Sequence, residues 1–99
     1  MSKAYVTEYS GPLMGGNAQV VSSRSIRTQV VDFSGGAART ALPFTDNTKI
    51  VRVNVDAICC KKTGDSSVTA STADERMAAD NTEYFGVQPG DYMSFISTT

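Results

Sequence analysis

Between residues 48 and 60 the chain reads Thr-Lys-Ile-Val-Arg-Val-Asn-Val-Asp-Ala-Ile-Cys-Cys. Val51, Val53, Val55, Ala57 and Cys59 fall on one parity, and Arg52, Asn54 and Asp56 on the other. Side chains of a strand point alternately to its two faces, so this run has one dry face and one wet face. Wound as a helix, the same valines would scatter around the circumference, and β-branched side chains are poor helix formers. The pattern predicts a long antiparallel strand lying on a core, and the rest of the chain has to supply the sheet that covers it.

The other segments read as short strands between turn signals. Residues 3–9, Lys-Ala-Tyr-Val-Thr-Glu-Tyr, are β-prone and predict an edge strand or extended arm. Residues 10–26 hold Ser, Gly, Pro, Asn and Gln with few apolar anchors, which predicts a loop or arm that orders against something else. A strand is expected from Arg27 to Ser34, a turn at Gly35-Gly36, and another strand from Ala37 to Leu42, broken by Pro43. Ser67 to Ser71 predicts a short strand, and residues 73–80 a helical turn or loop too short for an independent helix. Thr82 to Val87 and Tyr92 to Ser97 predict a hairpin around Gln88-Pro89-Gly90-Asp91, where proline and glycine suit a type II turn. The expected architecture is all-β, an antiparallel β-sandwich or jelly-roll-like small barrel, with an N-terminal arm and loop over 1–26 and the sandwich over 27–99. The expected core is Val31, Phe33, Phe44, Val51, Val53, Val55, Ala57, Phe85, Val87 and Ile96.

Size and charge narrow the function. A single domain of 99 residues buries about two-thirds of its unfolded surface, so contacts with copies or partners would add needed stability. The formal charge is −1, and the longest basic run is Lys61-Lys62, which speaks against nucleic acid as a partner. No apolar run approaches the ~20 residues of a membrane span. The start, Met-Ser-Lys-Ala-Tyr, has no apolar signal core, so export through a signal peptide is not expected. Adjacent cysteines point to opposite faces of a strand, which favours reduced thiols folded in a cytoplasm.

The chain holds no histidine. That removes Ser-His-Asp and Cys-His constellations, the usual near-neutral base and most zinc sites, so no catalytic residue, metal or cofactor is expected. The glycine-rich run from Gly11 to Gly16 lacks the Lys-Ser/Thr of a phosphate loop. Asp74, Glu75, Asp80 and Glu83 do not follow calcium-loop spacing and read as a solvated loop. Cys59 and Cys60 cannot close a zinc site alone; one fills the core, and the other is expected outward, at a subunit contact. Arg24, Arg27, Arg39 and Arg52 read as solvated cations unless the fold converges them. Tyr5, Tyr9, Tyr84 and Tyr92 suit either an interface or an ordinary strand position, and Tyr5 and Tyr9 share a parity in an extended strand, which favours a stripe that docks on something.

Three segments together carry a likeness: 3–9, 48–59 and 76–91, the last reading Arg-Met-Ala-Ala-Asp-Asn-Thr-Glu-Tyr-Phe-Gly-Val-Gln-Pro-Gly-Asp. Their succession resembles small virion proteins of tailed bacteriophages, chains of about this size that pair a Val-Arg-Val strand with a late Glu-Tyr-Phe-Gly-Val hairpin. The resemblance implies a β-sandwich on the capsid exterior, assembled in the host cytoplasm, that decorates and stabilises the capsid. Its partners would be the major capsid protein and its own copies, as a trimer, with Tyr5, Val6 and Tyr9 of the arm making the contact. A head–tail junction, collar or fibre-base component is the alternative within the class, and a carbohydrate-binding module the alternative outside it.

Overall fold

The computed structural model describes residues 2–10, 12–15, 18–21 and 25–98, those of 12–15 and 18–21 as backbone alone. Among them there are ten strands and no helix: β1 Lys3–Tyr9, β2 Pro12–Gly15, β3 Ala18–Val21, β4 Arg27–Asp32, β5 Ala38–Arg39, β6 Ile50–Val55, β7 Cys59–Gly64, β8 Glu75–Met77, β9 Asn81–Gly86 and β10 Tyr92–Ser97. They form two four-stranded antiparallel sheets, sheet 1 in the order β4-β1-β6-β9 and sheet 2 in the order β5-β10-β7-β8, while β2 and β3 pair only with each other. The fold is all-β and sandwich-like, as the alternating pattern demands.

The valines do what their spacing requires. Val51, Val53 and Val55 of β6 are fully buried on the inner face, opposite Arg52 and Asn54. Burying each contributes about 1.5–3 kcal/mol. Ala4 and Val6 from β1, and Val31 and Phe33 from β4 and its end, fill the same layer. Sheet 2 answers with Cys59, Met77, Met93 and Phe95. Phe33 and Phe95 stack across the layers with ring centroids 6.1 Å apart.

Several expectations need correcting. The strand predicted through residue 60 is two strands: the chain leaves sheet 1 after Val55 and enters sheet 2 at Cys59, so both sheets use one hydrophobic run. From β4 onward, every connection except β7 to β8 crosses between sheets. The turn at Gln88–Asp91 exists, with Gly90 at φ +85° and Asp91 N donating to Gln88 O at 3.2 Å. Yet β9 and β10 flank it in different sheets rather than pairing as a hairpin. Ile96 lies outside the core because Met93 and Phe95 take the inward parity of β10. Ser67 to Ser71 is not a strand; the Asp65 carboxylate accepts from both Ser67 N and Ser67 Oγ and closes a turn instead. Residues 73–80 contain the short strand β8.

The largest correction concerns the N-terminus. Residues 3–9 are not an arm: β1 is an interior strand, paired with β4 on one side and β6 on the other. The sandwich thus starts well before residue 27. With both of its edges satisfied, β1 has no free edge to add to a neighbour.

Candidate docking face

The parity that places Ala4 and Val6 inward turns Lys3, Tyr5, Thr7 and Tyr9 outward. Sheet 1 therefore presents a continuous outer face, and the strand register defines its rows. One row runs Val30, Tyr5, Asn54, Thr82; the next runs Thr28, Thr7, Arg52, Tyr84. Val30 is 54% exposed, Tyr84 51% and Tyr5 38%, three of the large apolar side chains that the fold leaves in solvent. Tyr9 and Ile50 face each other one row further on and are half-buried.

The polar groups between these anchors are already engaged. Thr7 and Thr28 share a hydroxyl hydrogen bond of 3.0 Å, and Asn54 Nδ2 donates to Thr82 Oγ1 at 2.8 Å. Cross-strand pairs of this kind stiffen a sheet. The face is thus mixed, with Tyr5, Val30 and Tyr84 exposed and Tyr9 and Arg52 half-buried around a satisfied polar ground. Tyr and Arg are enriched among the side chains that dominate interface energetics; Tyr buries much area for little lost rotamer freedom, and Arg adds a planar fork of hydrogen-bond donors. Such a surface has the side-chain chemistry of a protein contact.

Of the three residues singled out from sequence, Tyr5 and Tyr9 lie on this face. Val6 does not: it is fully buried in the core, because its parity is that of Ala4. The sequence reading missed Val30, which reaches the same face from β4, and it named Tyr84 of β9 as a candidate interface tyrosine without placing it beside Tyr5. Only the strand order, not the local pattern, brings them beside Tyr5 and Arg52.

A second missed feature lies on the inner side of β1. Glu8 shares the parity of Ala4 and Val6 and is fully buried. Its carboxylate accepts from Thr48 Oγ1 at 2.8 Å, from Thr45 N at 3.2 Å, from Gln29 Nε2 at 3.3 Å and from Arg27 Nε. Gln29 in turn clamps Leu42, donating to its carbonyl at 3.1 Å and accepting from its amide at 3.0 Å, while Arg27 reaches Pro43 O. The segment from 42 to 48, which carries the chain from sheet 2 back to sheet 1, is fastened to β1 and β4 by this one cluster.

The remaining candidates are dispersed. Arg27 serves Glu8, Arg39 lies 4.3 Å over the Tyr92 ring, and Arg52 alone of the described arginines considered stands on the outer face; Arg24 lies outside the described residues. The glycine-rich run forms β2 where it is described, and Gly11 and Gly16 lie outside. Asp74 accepts from Ser71, Glu75 pairs with Lys61, and Glu83 accepts from Asn81. Among the described residues no three of His, Cys, Asp and Glu gather as a metal site.

Both cysteines are buried, which corrects the expectation of one at a subunit contact. Cys60 Sγ lies 3.6 Å from Thr72 O, under the loop that covers sheet 2. Burial pushes the Cys59 thiol up to about 11 from 9.0, with the neighbouring Cys60 and Glu83 adding to the rise. A folded-state value above the unfolded one favours folding while the thiol is protonated, and that contribution is lost as pH climbs from 9.0 through about 11. The stability difference between wild type and Cys59→Ala is therefore expected to shrink across this window in urea unfolding, and a constant difference would contradict the burial of the thiol. Comparison with family models, curated proteins and solved structures finds no match.

Proposed function

We propose that this chain is a structural virion protein of a tailed bacteriophage that decorates the capsid by seating the outer face of sheet 1 on the major capsid protein lattice. The observation that carries the adhesive role is the placement of Tyr5, Val30 and Tyr84 in solvent on three strands of one sheet face. The virion as its setting is supported by the likeness of segments 3–9, 48–59 and 76–91 to small virion proteins.

The mechanism is mass action. A protein that binds only the assembled shell lowers the free energy of that state, and each added copy makes disassembly costlier. Four strands ~4.8 Å apart and ~20 Å long give a face of about 400 Å², half the ~800 Å² per partner of a standard stable complex. A lattice compensates through valence, since many weak contacts held in one array act together.

Co-sedimentation with purified phage capsids tests the reading. Wild type is expected in the pellet, and Tyr5→Ser and Tyr84→Ser are each expected to weaken binding about tenfold or more, the loss typical of a truncated interface anchor. Binding unaffected by either substitution removes this face from the reaction. Counting copies per purified virion separates locations: on the order of hundreds places the protein on the shell, and roughly six, twelve or fifteen at a collar or tail.

A further inference from the structure

We propose that β9 is the seam of a two-fold homodimer, in which two copies pair edge to edge and fuse their sheets into one. This pairing does not rest on the virion role. It concerns backbone groups that the fold leaves unmet.

Val87 N donates to Lys49 O at 3.0 Å, continuing the ladder in which β9 pairs with β6. Bonding alternates along an antiparallel ladder, so Asn81, Glu83 and Phe85 turn their backbone groups to β6, while Thr82, Tyr84 and Gly86 turn theirs away. No described strand lies on that side. The other edges are less able to pair. Beside β4 runs the 42–43 segment held by Arg27 and Gln29, and in sheet 2 the edge strands β5 and β8 have two and three residues. Nor does β9 contain a proline, lysine or described bulge, devices that ordinarily blunt an edge.

A second copy of β9 is antiparallel to the first when related by a two-fold axis normal to the sheet. Because outward groups must meet outward groups, few registers are allowed, and charge selects among them. Centring the axis on Glu83 sets two carboxylates face to face on the inner side. Centring it on Phe85 brings together two rings that each carry a Lys61 ammonium, 3.9 Å from the ring centroid. Centring it on Tyr84 does neither. Each Glu83 then lies opposite the other copy's Phe85 and the cation beneath it. Tyr84 exchanges both backbone bonds with its counterpart, and Thr82 does so with Gly86 of the other copy. Glu83, an inward-pointing charge that would bar a careless partner, here fixes the register.

The outer faces of both copies end on the same side, with the two Tyr84 rings adjacent at the centre. One such dimer offers twice the outer sheet surface of a single chain. The closed two-fold takes the place of the trimer expected from the resemblance.

Light scattering coupled to gel filtration of the full chain, loaded at about 100 μM, tests this. The expected mass is about 21 kDa, twice that of the 10.5 kDa chain. Tyr84→Pro removes an outward N–H that the chain itself does not use, and Glu83→Lys sets like charges together. Each is expected to weaken dimerisation about a hundredfold or more, leaving a monomer with a wild-type circular dichroism spectrum. A monomeric wild type, a trimer, or a dimer that survives both substitutions overturns the pairing. Should the variants not fold, amide exchange of wild type decides: protection of Thr82, Tyr84 and Gly86 that grows with concentration supports the seam, and concentration-independent exchange refutes it. A monomer that still sediments with capsids would sink the dimer and leave the docking face standing.

Discussion

Replacing Glu8 by alanine is expected to destabilise the protein by about 3–5 kcal/mol, the range for breaking a buried charged network by removing one partner. The carboxylate is fully buried and holds Thr48 Oγ1, Thr45 N, Gln29 and Arg27 at once. Its removal leaves the hydroxyl of Thr48, itself fully buried, without its carboxylate acceptor and Arg27 without its counter-charge. Glu8→Gln keeps the shape but turns an amide N–H₂ toward donors, so a smaller loss of about 1–3 kcal/mol is expected. The effect is also local. Segment 42–48 depends on this cluster, so the amides of Thr45 and Thr48 are expected to exchange faster in Glu8→Gln than the fall in global stability alone accounts for. Urea unfolding with amide exchange measures both. A loss under 1 kcal/mol would mean the carboxylate is dispensable.

The second large effect is expected from Phe95→Ala, also about 3–5 kcal/mol. Phe95 is fully buried on β10, an interior strand hydrogen-bonded to β5 and β7, and its ring stacks on Phe33 from the opposite sheet. Two sheets fixed by their own ladders cannot close over the vacated space, so the cavity persists and its cost is paid in full. For a domain this size that corresponds to a fall in Tm of roughly 15–30 °C. Ile96→Ala, one position along and outside the core, is expected to lower Tm far less. Equal effects at the two positions, read by thermal unfolding, would contradict the parity of β10.

These two residues also show what was legible in the chain and what was not. Alternation at Val51, Val53 and Val55 announced a half-buried strand, and that face is buried as expected. The same rule applied to residues 3–9 assigns Ala4, Val6 and Glu8 to one face, but a carboxylate on the dry side looks like an argument against that face. Only the donors that converge on it, from β4 and from 42–48, make the placement affordable. In β10, Met93 with Phe95 competes with Tyr92, Ser94 and Ile96 for the inside. Ser94 is buried too, bonded by Ala70 N at 2.9 Å on the sheet's other face. Burial on both faces erases the alternation that would have decided it.

The candidate docking face was half visible. Tyr5 and Tyr9 could be paired by parity alone, and Val6 excluded by the same rule once β1 is seen as interior. Val30 and Tyr84 could not be placed with them, because nothing local in a strand states which neighbour it will take. The corner at residues 56–58 has the same character. A hydrophobic run continues smoothly through it while the chain changes sheets, since both sheets face one core and ask for the same parity.

Oxidative footprinting of side chains, free and bound to purified capsids, tests the adhesive role of sheet 1 most directly. Tyr5 and Tyr84 are expected to be shielded on binding, while Leu42, 52% exposed on the segment between the sheets, is labelled equally in both states. Unchanged labelling of Tyr5 and Tyr84 on a bound chain, or shielding at Leu42 instead, would contradict it.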